Sequence, residues 1–365
     1  MKVIISGGGT GGHVFPAIAI ANAIKTQRPN AERLFVGAQG KIEMEKVPKA
    51  GYPIKGLWIS GFQRRLTLQN LAFPFKLISS LWKAWSIVRE FKPDVVIGVG
   101  GYASGPTLEV ATRMGIPTLV QEQNSFPGIT NRLLAKKVNK ICVAYDGMEK
   151  FFPKNKIVHT GNPVRQGIFE NLDKKRAEAY SYFGFDPNKK TIFVFGGSLG
   201  ARTINNAMVA NAELLKSQTD TQVLWQAGKL YIDEMHQSDT AKLPNVEIRQ
   251  FIDRMDLAYS MADVVIGRAG ALTISELCFV GKPAILIPSP NVSEDHQTKN
   301  AMALVGVDAA VLVKDKDAEV MISRALEILE NKKVKKELSG NISKLKKDRA
   351  AEVIAKEVFG MVGDL

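Results

Sequence analysis

The stretch IISGGGTGGHVFPAIAIANAI, residues 4–24, passes from a β-branched run through glycines at positions 7, 8, 9, 11 and 12 into alanine- and isoleucine-rich sequence. Strand, bare turn and helix in that order open a βαβ unit, and the spacing predicts a helix over 14–24. Glycines permit close approach and positive φ, so the turn and the amides at the helix start can hold a diphosphate or a developing anion.

Working outward, strand-length apolar runs recur as VIIS (3–6), RLFVG (33–37), DVVIGVG (94–100), PTLVQ (117–121), KICVAY (140–145) and KIVHTG (156–161). The pattern restarts with TIFVFGGSLGARTINNA (191–207) and continues through QVLWQAG (222–228), VEIRQFI (246–252), ADVVIGRAG (262–270) and PAILIPSP (283–290). Alternation with helical spacing predicts two doubly wound parallel sheets, each opened by a glycine turn. At 365 residues the chain is long enough for two cores. A boundary falls at GNPVR (161–165), which gives a first domain of 1–163 and a second of 164–346; the amphipathic tail from about 347 to 365 is able to close either.

The composition, 45% hydrophobic and 23% charged, is that of a globular protein. Two cysteines, Cys142 and Cys278, and four histidines show neither disulfide nor zinc spacing. MKVIIS enters a strand without a signal-peptide pattern, which places the expectation in the cytoplasm. A net charge of +13 favours an anionic partner. No zinc finger, RNA-binding aromatic motif or basic arm stands out, so nucleic acid is not expected.

Common nucleotide motifs fail on chemistry. Gly7, Gly9 and Gly12 match GxGxxG, yet Gly37, Ala38 and Gln39 stand where a dinucleotide reader needs a ribose-binding acid. His13-Val14 stands where a P-loop needs Lys-Ser/Thr. Further glycine turns follow strands at GVGGYASGP (98–106), FGGSLGA (195–201) and GRAGALTISE (267–276). In the last, Thr273-Ile274-Ser275-Glu276 reads as a capping box, or else Glu276 accepts both ribose hydroxyls of a nucleotide.

Taken together, GGTGGHVFPA, GVGGYASGP, EQNSFPGITNR, GNPVR, FGGSLGA, RAGALTISEL and DHQTKNA resemble the undecaprenyldiphospho-muramoylpentapeptide N-acetylglucosaminyltransferases of bacterial peptidoglycan synthesis, over residues 7–301. The resemblance implies an α/β GT-B glycosyltransferase: two Rossmann-like domains facing across a cleft, with the C-terminal helix returning to the first. It implies inverting transfer of GlcNAc from UDP-GlcNAc to the C4 hydroxyl of MurNAc in lipid I, giving lipid II. Donor positions carried over by motif are Thr10, Gly11, Gly12, Asn124, Arg165, Ser198, Ile252, Ala271, Leu272, Thr273, Ile274, Ser275, Glu276 and Gln297. Gly101, Tyr102 and Asn131 are the acceptor-binding positions. Arg165 supplies a cation to the diphosphate, the Ile252 amide and carbonyl pair with uracil, and Gln297 meets sugar hydroxyls. Where many family members carry His before Glu-Gln-Asn, this chain has Gln121, which removes any proton shuttle there.

Inverting transfer needs a base. His13 is the first candidate, because the helix start disfavours imidazolium; Glu122 is the second, acting directly or orienting the acceptor. Helix N-termini and Arg165, with no metal and no cofactor, are expected to stabilise the leaving UDP. Asp315-Lys316-Asp317 resembles a metal-binding DxD but reads as a solvated N-cap in a charged stretch. RRLTLQNLAFPFKLISSLWKAWSIVREFK (64–92) is too often interrupted to cross a membrane. As a helix after Pro74 it aligns Phe75, Ile78, Trp82 and Trp85, with Lys76, Lys83 and Arg89 reaching acidic headgroups; the alternative is a crossover helix with that face on the sheet. The implied partners are UDP-GlcNAc, lipid I, an anionic phospholipid surface at the cytoplasmic face of the cell membrane, and other cell-wall synthesis proteins. A GT-B enzyme with another acceptor and a non-catalytic nucleotide-sugar sensor are the alternatives.

Overall fold

A computed structural model describes residues 1–61, 73–164, 169 and 171–363. The chain forms two compact units, Met1–Arg165 with Lys347–Leu365, and Gln166–Lys346. In the first, the strands β1 (Lys2–Ser6), β2 (Glu32–Ala38), β3 (Ile54–Leu57), β4 (Val95–Gly98), β5 (Thr118–Glu122), β6 (Lys140–Val143) and β7 (Ile157–His159) run parallel in the order β3-β2-β1-β4-β5-β6-β7. The order reverses between β1 and β4, the switch point at whose carboxyl side open α/β sheets place their ligands.

Helices on both faces explain why Val3, Ile4 and Ile5 are all buried: a parallel strand covered twice reads as one apolar run, not an alternation. Each such side chain contributes about 1.5–3 kcal/mol on full burial. The first helix covers Gly11–Gln27, longer at both ends than the periodicity predicts. On it packs the helix Ala350–Met361, whose Ile354, Ala355, Val358 and Phe359 share one cluster with Ala17, Ile20 and Ile24.

In the second unit β8 (Lys190–Phe195), β9 (Thr221–Gln226), β10 (Val246–Arg249), β11 (Val264–Gly267), β12 (Ala284–Leu286) and β13 (Val311–Leu312) form a parallel sheet in the order β10-β9-β8-β11-β12-β13. Its switch point lies between β8 and β11. The sequence reading missed β3 and β13; the first carries a glycine, the second has two residues, and pairing with a neighbour rather than propensity makes them strands.

Candidate functional site

At the β1/β4 switch point of the first unit, three successive amides of the glycine turn are taken from within. Gly7 N–H donates to the Val36 carbonyl at 3.2 Å, Gly8 N–H to the Gly100 carbonyl at 3.3 Å, and Gly9 N–H to Glu43 Oε2 at 2.7 Å. Gly8 has φ +145°, and a Cβ there would fall inside the Glu43 carboxylate. Gly101, at φ +87°, presses so closely on Gly8 that a Cβ would collide with the Gly8 carbonyl. The two glycine-bearing strand ends are thus locked backbone to backbone.

His13 stands on this platform, half-buried in the first turn of its helix. Its Nδ1 lies 3.1 Å from the Gly8 carbonyl and 3.4 Å from Thr10 Oγ1. A carbonyl only accepts, so the bond to Gly8 puts the hydrogen on Nδ1 and makes Nε2 the proton-accepting nitrogen of the neutral ring. Nε2 points over Gly100, 2.9 Å from where a Cβ would stand, and Asn131 Nδ2 is 3.9 Å from the same point. The amides of Gly11 and Gly12, in the first turn, have no intrahelical carbonyl to bond. Thr10 is exposed.

Glu122, at the end of β5, is 2% exposed, and its carboxylate is fully occupied. Oε1 accepts from Asn124 N–H at 3.0 Å and Asn124 Nδ2 at 3.1 Å; Oε2 accepts from Gly128 N–H at 3.1 Å and Asn131 Nδ2 at 2.8 Å. Burial pushes this carboxyl up and the four N–H bonds oppose it. Four donors fill a carboxylate's four acceptor positions, and a protonated acid would turn an O–H against one of them. The arrangement suits holding Asn124 and Asn131 in place. With its amide fixed in that orientation, Asn131 Oδ1 is buried and has no hydrogen-bond partner among the described residues. Gln121, buried, bonds Asn162 at 3.1 Å and also accepts from Gln123, an amide network with no titrating member. Tyr102 is exposed, its ring lying over Gly61.

The second unit's turn bonds the other way round. Gln226 Nε2 donates to the Gly197 carbonyl at 3.0 Å, Lys229 N–H to that of Ser198 at 3.3 Å, and Leu230 N–H to that of Leu199 at 3.3 Å. Among the described residues no acceptor stands on the N–H of Ser198 or Leu199, and both residues are exposed. Gln226, absent from the sequence reading, also accepts the Ile252 N–H at 2.8 Å. The expectation that both backbone groups of Ile252 face uracil is therefore corrected: the N–H is taken, and the carbonyl is what remains. Ile252 lines a pocket with Tyr182, Phe183, Arg249, Phe251, Asp253 and Arg254.

The capping-box expectation is also corrected. The helix Ala271–Val280 begins with Gly270 as its N-cap, so Thr273 lies in the first turn and Glu276 in the second. Among the described residues the amides of Ala271, Leu272 and Thr273 at the helix start have no acceptor, Ile274 is buried, and Ser275 bonds back to the Ala271 carbonyl at 3.0 Å. Half-buried Glu276 accepts from the Tyr259 hydroxyl at 3.0 Å, which orients its carboxylate. Gln297 Oε1 accepts from Ser289 N–H at 2.9 Å. Arg165 lies outside the described residues. Asp315 is no solvated cap: Lys314 is the N-cap, while Asp315 pairs with Arg268 and accepts from Thr203 Oγ1 at 3.0 Å.

On the helix Phe73–Phe91, Ala84, Ile87 and Val88 face the core. Phe75 and Trp82, each 70% exposed, stand outside with Ile78 and Trp85, beside exposed Lys83 and Arg89. The helix thus packs on the sheet by a face other than that of Phe75, Ile78, Trp82 and Trp85. Residues 64–72 of the same stretch lie outside the described residues. Among the described residues no helix is long and apolar enough to cross a membrane.

Glu43, like Gln226, is a residue that sequence reasoning missed. The two side-chain-free positions that make room for it, Gly8 and Gly37, were its signal.

With this geometry in place, the chain can be set beside known proteins. The profile of the glycosyltransferase family 28 N-terminal domain matches residues 3–143, and that of the C-terminal domain matches residues 191–354. The chain is 56% identical over 362 residues to a UDP-N-acetylglucosamine--N-acetylmuramyl-(pentapeptide) pyrophosphoryl-undecaprenol N-acetylglucosamine transferase of Bacteroides fragilis, covering 98% of this chain and 95% of that one. A transferase of the same name from Flavobacterium psychrophilum is also 56% identical, covering 99% and 98%. The crystal structure of Acinetobacter baumannii MurG superposes with a TM-score of 0.77 at 28% identity, covering 98% of this chain and 99% of that one.

Proposed function

The chain belongs to glycosyltransferase family 28, and from that premise we propose how its residues work. It is a GT-B enzyme that transfers GlcNAc from UDP-GlcNAc to lipid I, forming lipid II. The observation that carries this is 56% identity across 98% of the chain to a transferase of that specificity.

The acceptor's C4 oxygen attacks C1 of GlcNAc and inverts it. His13 Nε2 takes the C4 proton, and the C1–O bond breaks with its electron pair passing to the UDP β-phosphate. Asn131 Oδ1, held by Glu122, accepts a hydroxyl of the acceptor, with Gly101 and Tyr102 beside it. Glu122 positions; His13 transfers the proton. Thr10, Gly11, Gly12 and Asn124 meet the sugar of the donor.

In the second unit Glu276 accepts the ribose hydroxyls and the Ile252 carbonyl accepts from uracil N3–H. Ser198 and the helix start at Ala271–Thr273 carry the diphosphate, with Arg165 assigned to it by motif alone, and Gln297 donates to the sugar. No metal enters this scheme.

The exposed face Phe75/Ile78/Trp82/Trp85 rests on an anionic membrane surface at its cytoplasmic side, where a lipid-linked acceptor is presented. Other cell-wall synthesis proteins are its expected neighbours there.

Incubation of the purified enzyme with radiolabelled UDP-GlcNAc and a short-chain lipid I analogue is expected to yield labelled disaccharide lipid and UDP, in EDTA as well as in magnesium. No labelled lipid, or activity abolished by EDTA and restored by magnesium, contradicts the reading. Changing Phe75 and Trp82 to serine should release the protein from anionic vesicles without weakening UDP binding; unchanged vesicle binding removes the membrane assignment.

A further inference from the structure

Glu43 has no part in the scheme above, yet its surroundings are shaped for it. It is 1% exposed, with Oε2 accepting from Gly9 N–H at 2.7 Å and Oε1 from Ala38 N–H at 2.9 Å. A Cβ on Gly8 would fall inside its carboxylate, and one on Gly37 would stand 2.5 Å from its Cγ, so two missing side chains make its slot. A buried carboxylate persists only where donors replace its water, and here two main-chain amides do so.

The consequence lies in the peptide between Gly8 and Gly9. That unit is a rigid plane in which the C=O and N–H point to opposite sides. Glu43 holds its N–H edge, and His13 Nδ1 is bonded to its C=O edge at 3.1 Å. Rotation of the plane would take the carbonyl away from the imidazole, and the hydrogen would no longer be confined to Nδ1.

We propose that Glu43 is a positioning residue for His13: by fixing the Gly8–Gly9 peptide it holds the imidazole in the Nδ1–H tautomer whose Nε2 takes the acceptor's proton. This rests on His13 being the base, and the two statements fail separately. In the full-length enzyme with ¹⁵N-labelled histidine, the neutral His13 ring is expected to show a protonated Nδ1 and an unprotonated Nε2. Glu43→Gln, which sets an NH₂ against one of the two amides, is expected to mix the tautomers. It should also lower kcat at least 10-fold while leaving KM for UDP-GlcNAc within twofold, with Glu43→Asp recovering part of the loss.

A wild-type spectrum showing Nε2–H overturns the proposal, and does so even if Glu43→Gln does not fold. So does a folded Glu43→Gln with wild-type tautomer and kcat. Full activity in His13→Ala would instead sink the base assignment, while the tautomer measurement would still report on Glu43.

Discussion

The two glycine turns share one plan of strand, turn and helix, and they treat their main chain in opposite ways. In the first unit the amides of Gly7, Gly8 and Gly9 are all occupied, the last by the carboxylate of Glu43. In the second the bonds land on the carbonyls of Gly197, Ser198 and Leu199. An anion needs amides that are not already satisfied. A turn carrying an internal carboxylate repels a diphosphate, while one tied down by its carbonyls offers its N–H groups. On the proposed reading, the same motif serves as a rigid platform for a proton acceptor in one unit and as a phosphate cradle in the other.

Four substitutions or labels break or sharpen this contrast. The largest effect is expected from His13→Ala, which should cut kcat about 10²–10⁴-fold, the usual contribution of a general base, with UDP-GlcNAc affinity retained. Steady-state kinetics with calorimetric titration of the donor separates the two. Next, Glu276→Ala should weaken UDP and UDP-GlcNAc alike by about 10–100-fold, as expected where hydrogen bonds to a charged group worth about 1.5–3 kcal/mol are removed. Donor titration checks it, and a pure kcat effect would misplace the ribose.

A smaller effect, on stability, is expected from Gly101→Ala. Its φ of +87° and its contact with Gly8 make the substitution strained, at about 1–3 kcal/mol, so Tm should drop by several degrees. An unchanged Tm would mean the two strand ends are not locked. The smallest is a labelling difference. One cysteine lies in each unit, and both are buried; burial pushes the Cys278 thiol up to about 12 and raises Cys142 as well. Neither should react with iodoacetamide at pH 8 until its unit opens. Saturating UDP-GlcNAc should slow labelling of Cys278 more than that of Cys142, since a ligand at about 100 times its Kd adds about 2.7 kcal/mol to the state that binds it. Equal protection would blur the division between the units.

Much of this could be read from the sequence, for definite reasons. The runs VIIS and VVIGVG are buried on both faces, which writes parallel strands as continuous apolar stretches, and the glycines after them mark the β1/β4 switch point, as those of FGGSLGA and GRAG mark the one between β8 and β11. The apolar face at Phe75, Ile78, Trp82 and Trp85 was visible in the periodicity, but periodicity does not say what covers a face; the structure leaves it exposed.

What stayed hidden depends on contacts distant in the chain. Glu43 reaches Gly9 across 34 residues, and within KIEMEKVPK it looks like its exposed neighbour Glu45. Gln226 takes the Ile252 amide across 26 residues. The T-x-x-E at 273–276 misleads because Gly270, with no side chain to signal it, starts the helix earlier. Asp315 looked solvated because its partner Arg268 lies 47 residues away.

The most direct measurement is a crystal structure with UDP-GlcNAc bound. The account predicts the pyrophosphate against the amides of the Ala271–Thr273 helix start and Ser198, with the Glu43–Gly9 bond intact. A pyrophosphate seated on Gly9 N–H, with Glu43 displaced from it, would contradict the account.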